Sequence, residues 1–252
     1  MTARLTAIYR YPVKGLSADR METADLIAAE TLPFDRAYAI ENGPGRFDPF
    51  NPRHVPKVNF LTLMRNEALA ALATSFDPAT RTLSIVRDGS HVADGCLATP
   101  VGRAIIAQFF AEYLKGELRG PPRVVHAPEH SISDVAAKCL HIVNLASVAD
   151  LERIVGQSLD PLRFRPNLVI AGAPAWSEFD WVGKSLRIGD ARLEVFGRTE
   201  RCAATNVDPA TGHRDLDIPA VLLRTWGHSE FGVYARVTAG GRIGPDSAVI
   251  LT

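Results

Sequence analysis

Leu186-Arg187-Ile188-Gly189-Asp190-Ala191-Arg192-Leu193-Glu194-Val195 alternates apolar and polar side chains on both sides of a Gly-Asp pair. A period of two places every second side chain on one face, and Gly-Asp supplies turn chemistry, so the stretch predicts a β-hairpin. Similar short stretches surround it. Residues 5–11 and 37–41 read as strands, as do residues 82–87, which end in the Asp88-Gly89 turn. Near the C-terminus, residues 234–237 face residues 243–250 across a turn containing Gly240-Gly241. Many short strands favour a barrel, and the fold class is mainly β with peripheral helices.

Helical spacing is confined to a few places. Ile105, Ile106, Phe109, Phe110, Tyr113 and Leu114 recur at three and four within residues 101–118, before Gly116 weakens the pattern. A short helix follows Asn66; another has Ser147 as its N-cap and ends near Gly156; a third covers residues 216–226. Gly120-Pro121-Pro122 punctuates the chain after the long helix, so residues 1–120 form a smaller α+β N-terminal module and residues 121–252 a β-barrel domain. Residues 42–56, rich in Pro, Gly and Asn, predict a mobile loop able to border an active site.

Composition excludes several function classes. The chain has 252 residues, enough for a sizeable core, and its 28 basic and 28 acidic residues leave no net field to attract nucleic acid or an anionic membrane. Any anion site must be local. No apolar run is long enough to cross a bilayer and the first ten residues are too polar for a signal peptide, so a soluble cytoplasmic protein without nucleic-acid or membrane partners is expected. Cys96, Cys139 and Cys202 are too few and too scattered for a zinc knuckle, a four-cysteine iron–sulfur site or a disulfide scaffold.

Four segments carry potential chemistry. In Arg198-Thr199-Glu200-Arg201-Cys202-Ala203-Ala204-Thr205, nearby arginines favour a thiolate, the form that attacks an electrophile or binds a soft metal; the other reading is a buried cysteine acting as a small hydrophobe. In Arg163-Phe164-Arg165-Pro166-Asn167, an extended backbone would point both arginines to one side, as a phosphate clamp or as solvated edge residues. Lys14 in Tyr11-Pro12-Val13-Lys14-Gly15, and the Asp35-Arg36 pair, present cations to a ligand or serve only as surface and structural charges.

Taken in order, these segments, together with Ser133-Asp134, Ile188-Gly189-Asp190, Ala146-Ser147 and residues 205–212, resemble the MOSC family with its N-terminal MOSC_N module, over nearly the whole chain. The plan is similar to that of amidoxime-reducing components and of the C-terminal part of molybdenum cofactor sulfurases. The resemblance implies a MOSC-type β-barrel and a bound molybdenum cofactor (Mo-molybdopterin). It further implies Lys14, Arg36, Ser147, Arg163, Arg165 and Arg201 as cofactor contacts, Asn167 in the same pocket, and Cys202 as the metal ligand. Cys96 and Cys139 match no ligand of the family. Two residues depart from the pattern: Glu200 and Gly15 stand where relatives carry serine. Glu200 is either a repulsive charge or a proton relay, and with Cys202 and Asn167 it completes the expected catalytic set. Residues 243–247 also depart from the usual strand-Gly-Asp-strand turn.

The activity that the resemblance implies is reduction of N-hydroxylated or related N-oxygenated small molecules. No GxGxxG segment or cysteine cluster supplies electrons from within the chain, so a separate electron-donor protein is expected. Because the resemblance reaches only the C-terminal region of the sulfurases, a pyridoxal-phosphate part able to mobilise sulfur is not expected. The rival expectations are a carrier, with a persulfide on Cys202 or the cofactor in transit, and a structural domain whose pocket has decayed.

Overall fold

A computed structural model describes residues 3–43 and 45–252. Strand β1 (Ala3–Arg10) buries Leu5 and Ile8, and two three-residue strands follow, β2 (Asp19–Met21) and β3 (Ala24–Leu26). Strand β4 (Tyr38–Glu41) is buried at all four positions rather than alternating. A meander of β5 (Leu72–Asp77), β6 (Thr82–Arg87) and β7 (Ser90–Cys96) comes next; Asp88 and Gly89 both take positive φ at its second turn. This is the geometry that a tight two-residue hairpin demands.

Helix α1 (Pro100–Tyr113) starts where the Thr99 hydroxyl accepts from the Gly102 amide, with proline in its first turn. It lays Ile106 and Phe110 on the meander, and Gly116 at φ +95° follows its end. It is shorter than the periodicity alone predicts, and the expected helix after Asn66 is a single 3-10 turn, Glu67–Ala71. Strand β8 (Arg123–His126) then pairs with β4.

The remaining elements are β9 (Leu140–Asn144), α2 (Leu145–Val155), β10 (Leu168–Ala171), β11 (Ser185–Ile188), β12 (Ala191–Glu200), α3 (Ile218–Trp226), β13 (Glu230–Ala239), β14 (Gly241–Ile243) and β15 (Ala248–Leu251). Seven strands close a barrel in the order β10-β9-β13-β12-β11-β15-β1, with β1 returning to pair with β10. Leu5, Ile8, Leu140, Ile142, Leu168, Ile170, Leu186, Leu193 and Val233 fill it, each fully buried. Burying one such side chain contributes roughly 1.5–3 kcal/mol. Outside the barrel α2 and α3 pack on Phe164 and Phe231, whose rings stack at 3.9 Å.

The expected hairpin at Gly189-Asp190 is formed, Ile188 facing Ala191 across the turn. The last expected hairpin is not. Beyond Gly240 the chain leaves β13, pairs β14 with β3, and then inserts β15 between β11 and β1. Strand β1 is a barrel strand, and the β4–β8 and β3–β14 pairs join residues on either side of residue 120.

Candidate functional site

A cavity of about 410 Å³ lies where the barrel meets the N-terminal module. One end is cationic. Lys14 sits on the turn after Tyr11, fixed by its own amide to Tyr38 O and by Tyr38 N to Pro12 O. Gly15 is required there: at φ +86°, an added Cβ would stand 2.6 Å from Leu61 O. Lys14 Nζ donates to Ile132 O at 3.1 Å and pairs with Asp134. Burial lowers the Lys14 pKa, and Asp134 partly restores it. Burial would raise Asp134, but Lys14, Lys57 and Arg36 outweigh it and hold the carboxyl below its ordinary value.

Arg36 and Arg165 share a platform. Both have left-handed backbones, φ +51° and +52°, and their guanidinium carbons lie 4.4 and 4.1 Å from the centroid of the buried Tyr11 ring. Arg36 pairs with Asp35 and donates to Asn167 Oδ1 at 3.2 Å and Arg165 O at 3.3 Å. Among the described residues the Arg165 side chain donates only to Leu16 O, at 2.8 Å. Burial pulls its pKa down to about 10, which leaves it cationic at neutral pH. Asn167 is fully engaged: its Oδ1 also accepts from His141 N, and its Nδ2 donates to Tyr9 O. It ties β1, β9 and Arg36 together, so it positions a cation rather than offering a free amide.

The other end holds sulfur. Strand β12 ends at Glu200, and Arg201 and Cys202 follow it into the cavity wall with Ala204, Phe196 and Tyr234. The Cys202 thiol is partly exposed. Arg201 donates to Phe164 O at 2.9 Å and keeps a buried Nε without a partner; burial lowers its pKa. The N-terminal module closes this end with Lys57, Thr62, Leu63 and Met64. Lys57 is 3.6 Å from Asp134 and faces Cys202, and these two charges, outweighing burial, raise its pKa. The Thr62 hydroxyl is buried without a hydrogen-bond partner. Among the described residues no group of three His, Cys, Asp or Glu side chains is placed to hold a metal ion, so the cavity offers a metal single side chains rather than a cage.

The family model described as "MOSC domain" matches residues 126–250, and that described as "MOSC N-terminal beta barrel domain" matches residues 2–117. The chain belongs to the MOSC family. It is 24% identical over 248 residues to mitochondrial amidoxime reducing component 2 of Rattus norvegicus, covering 88% of this chain and 72% of that protein. To mitochondrial amidoxime-reducing component 1 of Homo sapiens it is 29% identical over 137 residues, 48% of this chain and 39% of that one. A third match, to the molybdenum cofactor sulfurase of Oryza sativa subsp. japonica, reaches 44% identity over 54 residues, 21% of this chain and 6% of the sulfurase.

In this MOSC protein the cavity gathers Lys14, Arg36, Arg165, Asn167, Glu200, Arg201 and Cys202. Two expected contacts lie elsewhere. Ser147 is not the N-cap of α2; Asn144 is, and Ser147, fully buried one turn in, donates to Glu178 and accepts from Trp176 N. Arg163 does not share a face with Arg165, because residues 161–164 form a 3-10 turn instead of an extended strand. Its side chain, 1% exposed, binds Asp208 and Asp215 outside the cavity.

Pro44 lies outside the described residues, and no other residue of 42–56 borders the cavity; Lys57, just beyond them, does. Cys139, unmatched to any ligand of the family, lies in the cavity wall, its thiol pushed up to about 12 by burial. Cys96 stays outside, on the β7 edge, donating to Thr80 O. Sequence reasoning passed over Tyr11, Lys57 and Thr62. The proline-stiffened turn was a signal for Tyr11, whereas Lys57 and Thr62 reach the cavity only through tertiary packing.

Proposed function

We propose that the protein binds the molybdenum cofactor in this cavity and acts as a molybdenum-dependent reductase of N-hydroxylated or related N-oxygenated small molecules, with electrons from a separate protein. The observation that carries the reading is a pair of cations. Arg165 and Arg201 line the cavity, are largely buried, and meet no carboxylate among the described residues. Desolvated charge without a counter-ion is costly, and an incoming anion offsets that cost. Guanidinium forks fit phosphate oxygens, and a thiolate suits a soft metal that brings its remaining ligands with it. The unpartnered Thr62 hydroxyl in the same wall fits a polar ligand as well.

When bound, the cofactor would supply the two-electron oxygen-transfer chemistry that no side chain can perform. The protein's own residues have separable tasks. Lys14, Arg36 and Arg165 hold the phosphate, and Asn167 and Tyr11 fix the two guanidiniums in place. Cys202 holds the metal. Glu200, exposed at the sulfur end, can carry a proton to or from a substrate there. Chain similarity to amidoxime-reducing components supports the substrate class.

Molybdenum per chain, measured by mass spectrometry, and reduction of a model amidoxime with a chemical electron donor test the reading in wild type and Cys202→Ala. The expected result is near-stoichiometric metal and turnover in the wild type and loss of both in the variant. Metal without turnover would point to a carrier, and no metal in protein from a cofactor-producing host would sink the proposal.

A further inference from the structure

One side chain outside the cavity joins its two walls. Arg214 Nη2 donates to Leu63 O and Met64 O at 2.8 and 2.9 Å, in the wall supplied by the N-terminal module. Its Nη1 donates to Ala203 O at 2.8 Å, one residue beyond Cys202, and its Nε to Glu67 at 2.6 Å. A planar guanidinium with fixed donor directions holds three carbonyls and a carboxylate in one geometry, which an ammonium cannot do.

The loop that presents Arg214 is itself rigid. Val207 bridges to Arg214, Asp208 N donates to His213 O at 2.8 Å, and Gly212 N donates to Asp208 O at 2.9 Å. From the barrel side Arg163 holds Asp208 and Asp215 at 2.7 and 2.6 Å. On the sulfur side the Thr205 amide and hydroxyl both donate to Cys202 O at 3.0 Å. The distance between Met64 and Cys202 therefore cannot relax through either loop alone.

We propose that Arg214 is a positioning residue that sets the width of the sulfur end of the cavity, and with it the size of molecule that reaches Cys202. That Cys202 is the reacting end rests on the proposed function; the latch is tested on the thiol alone. In the cofactor-free full chain, Cys202 is alkylated with N-ethylmaleimide or with the much larger fluorescein maleimide, which carries the same reactive group, and the rates, each divided by that of a free thiol, are read by peptide mass spectrometry. The wild type should favour the small reagent. Arg214→Met should raise the relative rate of the large reagent several-fold, with Arg214→Lys in between, since an ammonium replaces only part of the donor set.

Glu67→Gln, which removes a charge from the surface end of the latch, should move the ratio the same way but less, and covers the case of an unfolded Met variant. A merely structural arginine would lower the melting temperature and leave the reagent ratio alone. An unchanged ratio in folded Arg214→Lys and Glu67→Gln would overturn the latch. Protection of Cys202 by added cofactor, in contrast, speaks only to the proposed function.

Discussion

Arg163 and Arg165 stand two residues apart and serve regions of opposite character. Arg163 is sealed against the strap of residues 206–215 and meets two carboxylates and the Asn206 carbonyl. Arg165, turned away by its left-handed backbone, meets a tyrosine ring and one carbonyl, and no carboxylate. The first environment counters its cation with two acids, although the buried Nε has no partner among the described residues, so its charge contributes to the fold. The second is incomplete, which is what a site for an anion requires.

Substitution of the two arginines should break the symmetry of their sequence. Arg163→Met leaves two acids facing a neutral side chain and is expected to cost about 2–4 kcal/mol, below the value for fully buried pairs because both acids are partly exposed. A denaturant midpoint measures it. Arg165→Met should leave that midpoint nearly unchanged but abolish retention of a phosphate-bearing ligand, read by titrating the variant with the cofactor. Equal stability losses in both variants would erase the distinction.

Ser147 sharpens the contrast with a neutral group. Its hydroxyl lies in a closed knot with Glu178, Asn144 and Trp176 N, and burial raises the Glu178 pKa against the hydrogen bonds from Ser147 and Asn144. Ser147→Ala should cost about 1–3 kcal/mol in stability and leave molybdenum content unchanged. A loss of metal without a loss of stability would return Ser147 to the cavity.

The smallest expected effect is in pH dependence. Asp134 is held below its ordinary value of 3.8, so its pairing stabilises the fold above that pH and fades as pH falls through the depressed value. The difference in urea midpoint between wild type and Asp134→Asn should therefore be greatest near neutrality and shrink in acid. A difference that grows in acid would mean that the carboxyl is not held by Lys14 and Lys57.

Local signals were read correctly where they were strong. The Gly189-Asp190 hairpin, the Asp88-Gly89 turn and the apolar stripe of α1 needed only their own residues. Lys14, Arg36, Arg165 and Cys202 were found through ordered motifs, and they do converge. The errors have physical causes. Pro161 begins a 3-10 turn and Arg165 caps it in a left-handed conformation, which defeats the extended reading of Arg163-Phe164-Arg165. Asn144 competes with Ser147 for the helix start and wins because its Oδ1 reaches Ala146 N. Both partners of β15, β11 and β1, lie far before it in the chain, and no local pattern encodes such pairings.

The seam between β1 and β15 places Ala3 opposite Val249. During synthesis β1 therefore leaves the ribosome long before its neighbour β15. Until β15 follows, β1 can pair with β2 and β10 only, leaving an unpaired strand edge on each side of the gap. So large a separation makes closure slow relative to local hairpins. The nascent barrel remains an open sheet until β15 is made, and the cavity, which Asn167 anchors to β1, inherits that schedule.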